Sequence, residues 1–116
     1  MNHLTLLTDL YELTMMQGYF KTGNNETVVF DAFYRTNPGN GGYAVCAGLE
    51  QIIEYIKDLH FSDTDISYLR SVGIFEEDFL EYLKEFRFSG DIYAIPEGTV
   101  IFPREPLLKV IAPIME

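Results

Sequence analysis

The stretch TDLYELTMMQGYF, residues 8–20, is the first predicted helix, and the rest of the chain is organised around it. Thr8 and Asp9 are candidate N-caps, because a short side-chain oxygen there accepts a hydrogen bond from an unpaired backbone N–H. Asp9 and Glu12 also have the spacing of a capping box. The sequence therefore predicts a helix that begins near residue 9.

Two apolar stripes run along this predicted helix. The first contains Leu6, Leu10, Leu13, Gln17 and Phe20, and the second contains Tyr11, Met15, Gly18 and Tyr19. A helix with one stripe packs on one surface, so a second stripe rich in tyrosine and methionine indicates a further contact surface. The alternative is that both stripes belong to the core.

The composition is that of a globular chain, with 47% hydrophobic and 22% charged residues among 116. This length fits a single domain over 1–116, with a helical and hairpin part over 1–86 and a strand-rich part over 87–116. Cys46 is the single cysteine, which fits a reducing compartment, and the first residues do not resemble a secretory signal. We therefore expect a cytoplasmic protein without a membrane span.

Acidic residues dominate the charge, since 18 Asp and Glu against eight Lys and Arg give a net charge of −10. Such a surface disfavours nucleic acid and anionic membranes as partners, and also phosphate-rich ligands unless the basic residues gather at one place. The acids of residues 76–85 are interpreted as a solvated helix face, because no His or Cys is spaced with them as in a ligand cage. We predict no metal site.

A strand, a loop and a helix are predicted next. Alternation in the strand over 26–35 places on one face, expected to be core, Val28, Phe30, Ala32 and Tyr34. The glycine-rich loop over 36–42 lacks the Lys-Ser/Thr pair of a Walker loop and the following helix of a Rossmann loop. We interpret it as a hairpin connection to a strand over 43–47. Residues 49–59 form the clearest amphipathic helix, to which we assign a structural role.

Two more helices are predicted before the chain changes character. Ser62 is the expected cap of the first, which Gly73 ends. The second runs from about Glu76 to Phe86 and is expected to bury three side chains, Phe79, Leu83 and Phe86.

The last part of the chain predicts a small antiparallel sheet. Its strands are expected over 88–95, 99–102 and 107–112, and the flanking prolines favour edge positions. The turn at Pro96-Glu97-Gly98 lacks the lysine of lipoyl and biotin carrier domains, which excludes that class. The apolar segment before Glu116 stops without a polar tail, so we expect a chain truncated there.

No nucleophile is spaced with a base in this sequence. A serine elbow, a Cys-His pairing and a clustered carboxylate pair are all missing from it. Composition and spacing alone therefore predict a small α+β domain without an active site of its own.

Two specific motifs resemble nicotinate phosphoribosyltransferases. They are TDLYELTM at 8–15 with Tyr19, and FDAFYR at 30–35 followed by Asn37-Pro38 and by GYAVCAGLE at 42–50. GDIYAIPEG at 90–98 and VIAPIME at 110–116 are similar to the same family. The resemblance covers nearly the whole chain.

The resemblance implies an α+β domain of the hammerhead type found in nicotinate and quinolinate phosphoribosyltransferases, here without the α/β barrel that follows it. Members make nicotinate mononucleotide and pyrophosphate from nicotinate and phosphoribosyl pyrophosphate in NAD salvage. They are glycosyltransferase- or ligase-type enzymes that couple the reaction to ATP hydrolysis, which implies Mg²⁺. They commonly act as homodimers with active sites at the subunit interface. Because the barrel that holds the phosphoribosyl pyrophosphate site is missing here, this chain alone is expected to be inactive.

The same resemblance implies roles for five residues. Tyr11 is expected to stack on the pyridine ring in the neighbouring subunit's site, and Arg35 to approach the phosphates there. Thr14, Asn37 and Gly42 are further candidates for shaping that interface. No catalytic residue is carried over, because neither histidine lies in a motif resembling the phosphorylated-histidine region.

Two other interpretations remain open from the sequence. One is a stand-alone, non-catalytic interaction or dimerisation module. The other is a structural α+β domain without further function.

Overall fold

The computed structural model describes residues 3–116, and its elements confirm an α+β fold. The helices are α1 (Leu10–Thr22), α2 (Leu49–Lys57), α3 (Asp63–Val72) and α4 (Glu77–Lys84). The strands are β1 (Thr27–Ala32), β2 (Ala44–Val45), β3 (Asp91–Ala94), β4 (Val100–Ile101) and β5 (Leu108–Pro113). No helix within 3–116 is long and apolar enough to cross a bilayer.

The core lies between α1, α3 and α4. Phe79, Leu80 and Leu83 of α4 have no exposed surface, and Phe86 is 5% exposed, so the predicted burial of this helix is confirmed. Leu13 of α1 packs into the same cluster. Burying each such side chain contributes about 1.5–3 kcal/mol relative to leaving it exposed, so this helical cluster stabilises the fold.

The helix termini confirm one predicted cap and correct another. Ser62 caps α3 through a complete capping box, since its hydroxyl accepts from the Asp65 N–H and the Asp65 carboxylate accepts from the Ser62 N–H. Asp9 occupies the N-cap of α1, but its side chain makes no capping hydrogen bond. The predicted capping box of α1 is therefore wrong: Glu12 accepts instead from the Thr8 hydroxyl.

The strands form two antiparallel sheets, but they pair differently from the predicted hairpin and the predicted sheet of the three last strands. β5 lies between β1 and β3, and β4 pairs with β2. The loop over 36–42 is therefore not a hairpin connection, because β1 takes its partner from the far end of the chain. The edge positions predicted from the prolines are confirmed for β3 and β4, whereas β5 is a central strand. The prolines stand outside β5 or at its final residue, Pro113, so they leave its ladder intact.

The expected apolar face of β1 is not core in this chain. Phe30 is 65% exposed and Ala32 is exposed, while Val28 and Tyr34 are half-buried. The helix α2 is also without a buried residue. Alternation identified an apolar face correctly, but none of residues 3–116 covers it fully. Accordingly the radius of gyration is 16.6 Å, against about 13 Å for a compact domain of roughly 100 residues.

Candidate functional site

A groove of about 500 Å³ runs along α1. Its walls come from α1, from β1, from α2 and from the last residues of the chain. The side chains that line it are mostly apolar or aromatic and include Tyr11, Met15, Tyr19, Phe30, Tyr55 and Met115. Burial raises the pKa of the Tyr55 phenol above its ordinary value, so this side chain carries no charge at neutral pH.

Tyr11 projects from α1 into this groove. Leu13 is buried, with only 6% of its surface exposed. Helical geometry turns Tyr11 and Met15, which lie two residues before and two residues after Leu13, toward solvent. These two side chains are 60% and 50% exposed. The second stripe of α1 therefore faces away from the core, as a separate contact surface requires.

Arg35 follows β1 at a corner that Tyr34 fixes. The Tyr34 hydroxyl lies 2.9 Å from the carbonyl oxygen of Ile101 and 2.9 Å from Oδ1 of Asn37. The backbone carbonyl oxygen of Tyr34 accepts a hydrogen bond from the backbone N–H of Arg104 at 2.8 Å. Arg35 is exposed and makes no ion pair with any of residues 3–116. A rigid backbone thus presents a guanidinium group to solvent.

Burial raises the pKa of the Tyr34 phenol, and the negative charge of Glu105 raises it further. The phenol therefore keeps its hydrogen at neutral pH and can donate it to a carbonyl oxygen. This contact holds the corner against β4.

The three further candidates, Thr14, Asn37 and Gly42, differ in their surroundings. Thr14 donates its hydroxyl hydrogen to the carbonyl oxygen of Tyr11 at 3.0 Å, within its own helix. Asn37 is half-buried and held by Tyr34, and it precedes a short 3₁₀ turn over Pro38–Asn40. Gly42 is exposed, and a Cβ added there would meet nothing within 4 Å. Space among residues 3–116 therefore does not require glycine at position 42.

The five predicted residues do not share one pocket in this chain. Tyr11 lines the groove, whereas the other four are absent from its lining. Arg35, Asn37 and Gly42 belong to the corner and loop that follow β1. Within residues 3–116 the structure thus contains two separate candidate surfaces, the groove and the Arg35 corner.

The described residues do not fit a bound divalent cation. Within 3–116 there is no group of three or more His, Cys, Asp or Glu side chains placed to hold a metal ion. The glycine-rich loop is followed by β2, not by a helix with a phosphate-binding lysine.

Sequence reasoning missed part of the groove. The sequence predicts a structural role for the helix of Tyr55 and a core position for Phe30, yet both side chains line the groove. The repeated aromatic residues on apolar faces were the available signal, but a periodic pattern does not reveal which face stays open.

Comparison with known families identifies one match over residues 6–116, described as the nicotinate phosphoribosyltransferase N-terminal domain. A nicotinate phosphoribosyltransferase of Mycobacterium tuberculosis is 46% identical over 111 residues, which make up 96% of this chain and 24% of that protein. The chain thus spans about a quarter of the length of this curated relative.

Solved structures give the same match. The crystal structure of human nicotinic acid phosphoribosyltransferase superposes with a TM-score of 0.82 at 33% identity, over 93% of this chain and 22% of that one. A nicotinate-nucleotide pyrophosphorylase from Pyrococcus furiosus has a TM-score of 0.67 at 18% identity, over 97% of this chain and 22% of that one. The latter likeness shows a shared fold.

Proposed function

Because the chain belongs to the nicotinate phosphoribosyltransferase family, as its N-terminal domain, we propose that the complete protein makes nicotinate mononucleotide and pyrophosphate. Its substrates are nicotinate and phosphoribosyl pyrophosphate, and the reaction is coupled to the hydrolysis of ATP with Mg²⁺. The protein acts in NAD salvage in the cytoplasm, as a homodimer whose sites are shared across the interface. We expect the isolated domain to be inactive, because it spans about a quarter of the length of the relative that it matches.

The observation that carries this proposal is the open position of Tyr11. Its side chain is 60% exposed beside an apolar groove, and its ring stacks on no other ring within residues 3–116. A tyrosine face in this position can stack on a flat heteroaromatic ring. Such an aromatic pair contributes about 0.5–1.5 kcal/mol beyond the burial of area.

Arg35 supplies a complementary function for the phosphate groups. A guanidinium fork donates two parallel hydrogen bonds to phosphate oxygens, and hydrogen bonds of this kind are about twice as strong as neutral ones. In a chain with a net charge of −10, an exposed arginine without an acidic partner among residues 3–116 supports binding of an external anion. Thr14, Asn37 and Gly42 shape the surfaces around these two side chains.

The test uses the complete protein and measures nicotinate-dependent release of pyrophosphate. Tyr11→Ala is expected to raise KM for nicotinate by about tenfold, the equivalent of roughly 1.4 kcal/mol. Tyr11→Phe keeps the ring and is expected to behave almost as the wild type. Arg35→Ala is expected to raise KM for phosphoribosyl pyrophosphate by roughly ten- to a hundredfold, the loss of a hydrogen bond to a charged group.

Tyr68 gives a matched control for Tyr11. It is also 60% exposed but lies on α3 and does not line the groove, so Tyr68→Ala should leave both KM values unchanged. Wild-type kinetics in both Tyr11→Ala and Arg35→Ala would refute the two site assignments. A complete protein that forms a stable complex but releases no pyrophosphate would favour the interaction module instead.

A further inference from the structure

Most basic side chains of this acidic chain already have partners. Among residues 3–116, ion pairs engage three of the eight Lys and Arg residues, namely Lys21, Arg70 and Lys84. Lys109 lies over the Tyr93 ring, and Arg87 donates to the carbonyl oxygen of Phe86. Among the described residues, the side chains of Arg35, Lys57 and Arg104 take part in no hydrogen bond, ion pair or cation–π contact.

A backbone contact brings the chain segments of two of these three basic residues, Arg35 and Arg104, together at one corner. The backbone N–H of Arg104 donates to the carbonyl oxygen of Tyr34 at 2.8 Å, which places Arg104 directly beside the residue that precedes Arg35. Since Tyr34 is also held by Ile101 and Asn37, both arginines extend from a fixed backbone. The fold thus gathers two basic residues that are 69 positions apart in sequence.

The backbone at Arg104 is one that glycine would favour. Its φ is +65°, and Pro103 precedes it, so the pair has the pattern of a type II turn with proline in the second position. A Cβ is disfavoured in this left-handed region, and non-glycine residues rarely adopt it. An arginine held there against its conformational preference indicates a use for the side chain.

The charge around the corner favours an anion. The neighbouring loop over 36–42 contains no charged residue, and Glu105 is the one acid in the turn beside Arg104. Two arginines against one carboxylate leave this corner positive within a chain of net charge −10. An anionic ligand therefore meets local attraction at a place where it can approach the exposed backbone of a glycine-rich loop.

We propose that Arg104 is a second anion-binding residue, which together with Arg35 forms a two-arginine corner for a diphosphate group. The assignment of that diphosphate to phosphoribosyl pyrophosphate rests on the proposed function. The pairing of Arg104 with Arg35 rests on the backbone contact through Tyr34 and on the turn geometry.

The test compares Arg104→Gly and Arg104→Asn with the wild type in the complete protein. Both residues tolerate a positive φ, so neither variant should melt at a lower temperature than the wild type. Inorganic pyrophosphate is titrated in by calorimetry, and its affinity is expected to fall about tenfold in both variants, the loss of one hydrogen bond to a charged group. KM for phosphoribosyl pyrophosphate should rise by a similar factor, with kcat nearly unchanged.

Lys57→Ala is the matched control, because Lys57 is an exposed cation on α2 without a partner among residues 3–116. It should leave pyrophosphate affinity unchanged. Arg104 variants that fold and bind pyrophosphate as tightly as the wild type would overturn the inference. Weaker pyrophosphate binding in a protein without nicotinate-dependent activity would uphold the corner and reject the proposed function. Full activity with an unchanged KM in Arg104→Gly would uphold the proposed function and reject the corner.

Discussion

The Asp65 carboxylate joins the start of the described chain to the start of α3. Its Oδ2 atom lies 2.5 Å from Nε2 of His3 and accepts from the backbone N–H of Ser62 at 2.8 Å. Burial works to raise the pKa of Asp65, but the hydrogen bonds from Ser62 and His3 outweigh it and hold the pKa below its ordinary value of 3.8. One carboxylate thus caps a helix and anchors an N-terminal segment.

The first prediction concerns the acid stability that Asp65 confers. A carboxyl with a depressed pKa in the folded state stabilises the fold above its unfolded-state pKa, and this contribution is lost as the pH falls through the folded-state value. Asp65→Asn should therefore lower the free energy of unfolding by about 1 kcal/mol at neutral pH and flatten its decline below about pH 4. Urea unfolding from pH 2 to pH 7 measures both effects.

Asp63→Asn is the control for this measurement. Asp63 is an exposed acid of the same helix. Its side chain forms no hydrogen bond or ion pair with any of residues 3–116. Its variant should keep the wild-type pH profile. An Asp65→Asn profile parallel to that of the wild type would contradict the prediction.

The second prediction concerns the close approach of Gly90 to β5. A Cβ at this position would lie 2.4 Å from Cβ of Ala112 and 2.6 Å from the carbonyl oxygen of Ile111. Gly90→Ala should therefore overpack the sheet and lower the free energy of unfolding by roughly 1–3 kcal/mol. Gly42→Ala, where the added Cβ meets open space, should change it by less than about 0.5 kcal/mol. Equal stabilities of the two variants would refute this account.

The third prediction concerns Gln17, which joins α1 to the α3–α4 loop. Its Oε1 accepts from the backbone N–H of Glu76 at 2.7 Å, and its Nε2 donates to the carbonyl oxygen of Ile74 at 3.1 Å. Gln17→Glu keeps the acceptor but turns a carboxylate oxygen toward a carbonyl oxygen, so it should lose about 1 kcal/mol of stability. In Gln17→Ala the Glu76 amide should exchange its hydrogen faster. Gln51→Ala, at an exposed position on α2, should change neither quantity.

The fourth prediction concerns the role of Tyr34 in positioning Arg35. Tyr34→Phe removes the hydroxyl that contacts Ile101 and Asn37, and should cost about 1 kcal/mol of stability. In the complete protein it should also raise KM for phosphoribosyl pyrophosphate about threefold while kcat stays constant. A threefold rise corresponds to a loss of under about 1 kcal/mol of binding free energy that is equal in the ground state and the transition state. Tyr93→Phe, at a ring that is 61% exposed on β3, serves as the control. An unchanged KM in a destabilised Tyr34→Phe protein would leave Tyr34 with a structural role only.

The family and the helical core could be predicted from the sequence. The spacing of Phe79, Leu83 and Phe86 gave their burial, and Ser62 and Gly73 marked the ends of α3. These signals are local, because capping and helical periodicity act over one or two turns. The capping box predicted at Asp9 does not form, because the Glu12 carboxylate accepts a hydrogen bond from the Thr8 hydroxyl instead.

Tertiary structure alone decided how the strands pair and which apolar faces remain open. β1 pairs with β5 across about 80 residues of chain, and strand propensity carries no information about so distant a partner. Alternation placed Phe30 on an apolar face, but the absence of a covering layer within residues 3–116 left it 65% exposed. The meeting of Arg104 with Tyr34 beside Arg35 has the same origin. A sequence specifies local conformation through short-range sterics and hydrogen bonds, whereas neighbours from distant segments are selected only when the whole chain packs.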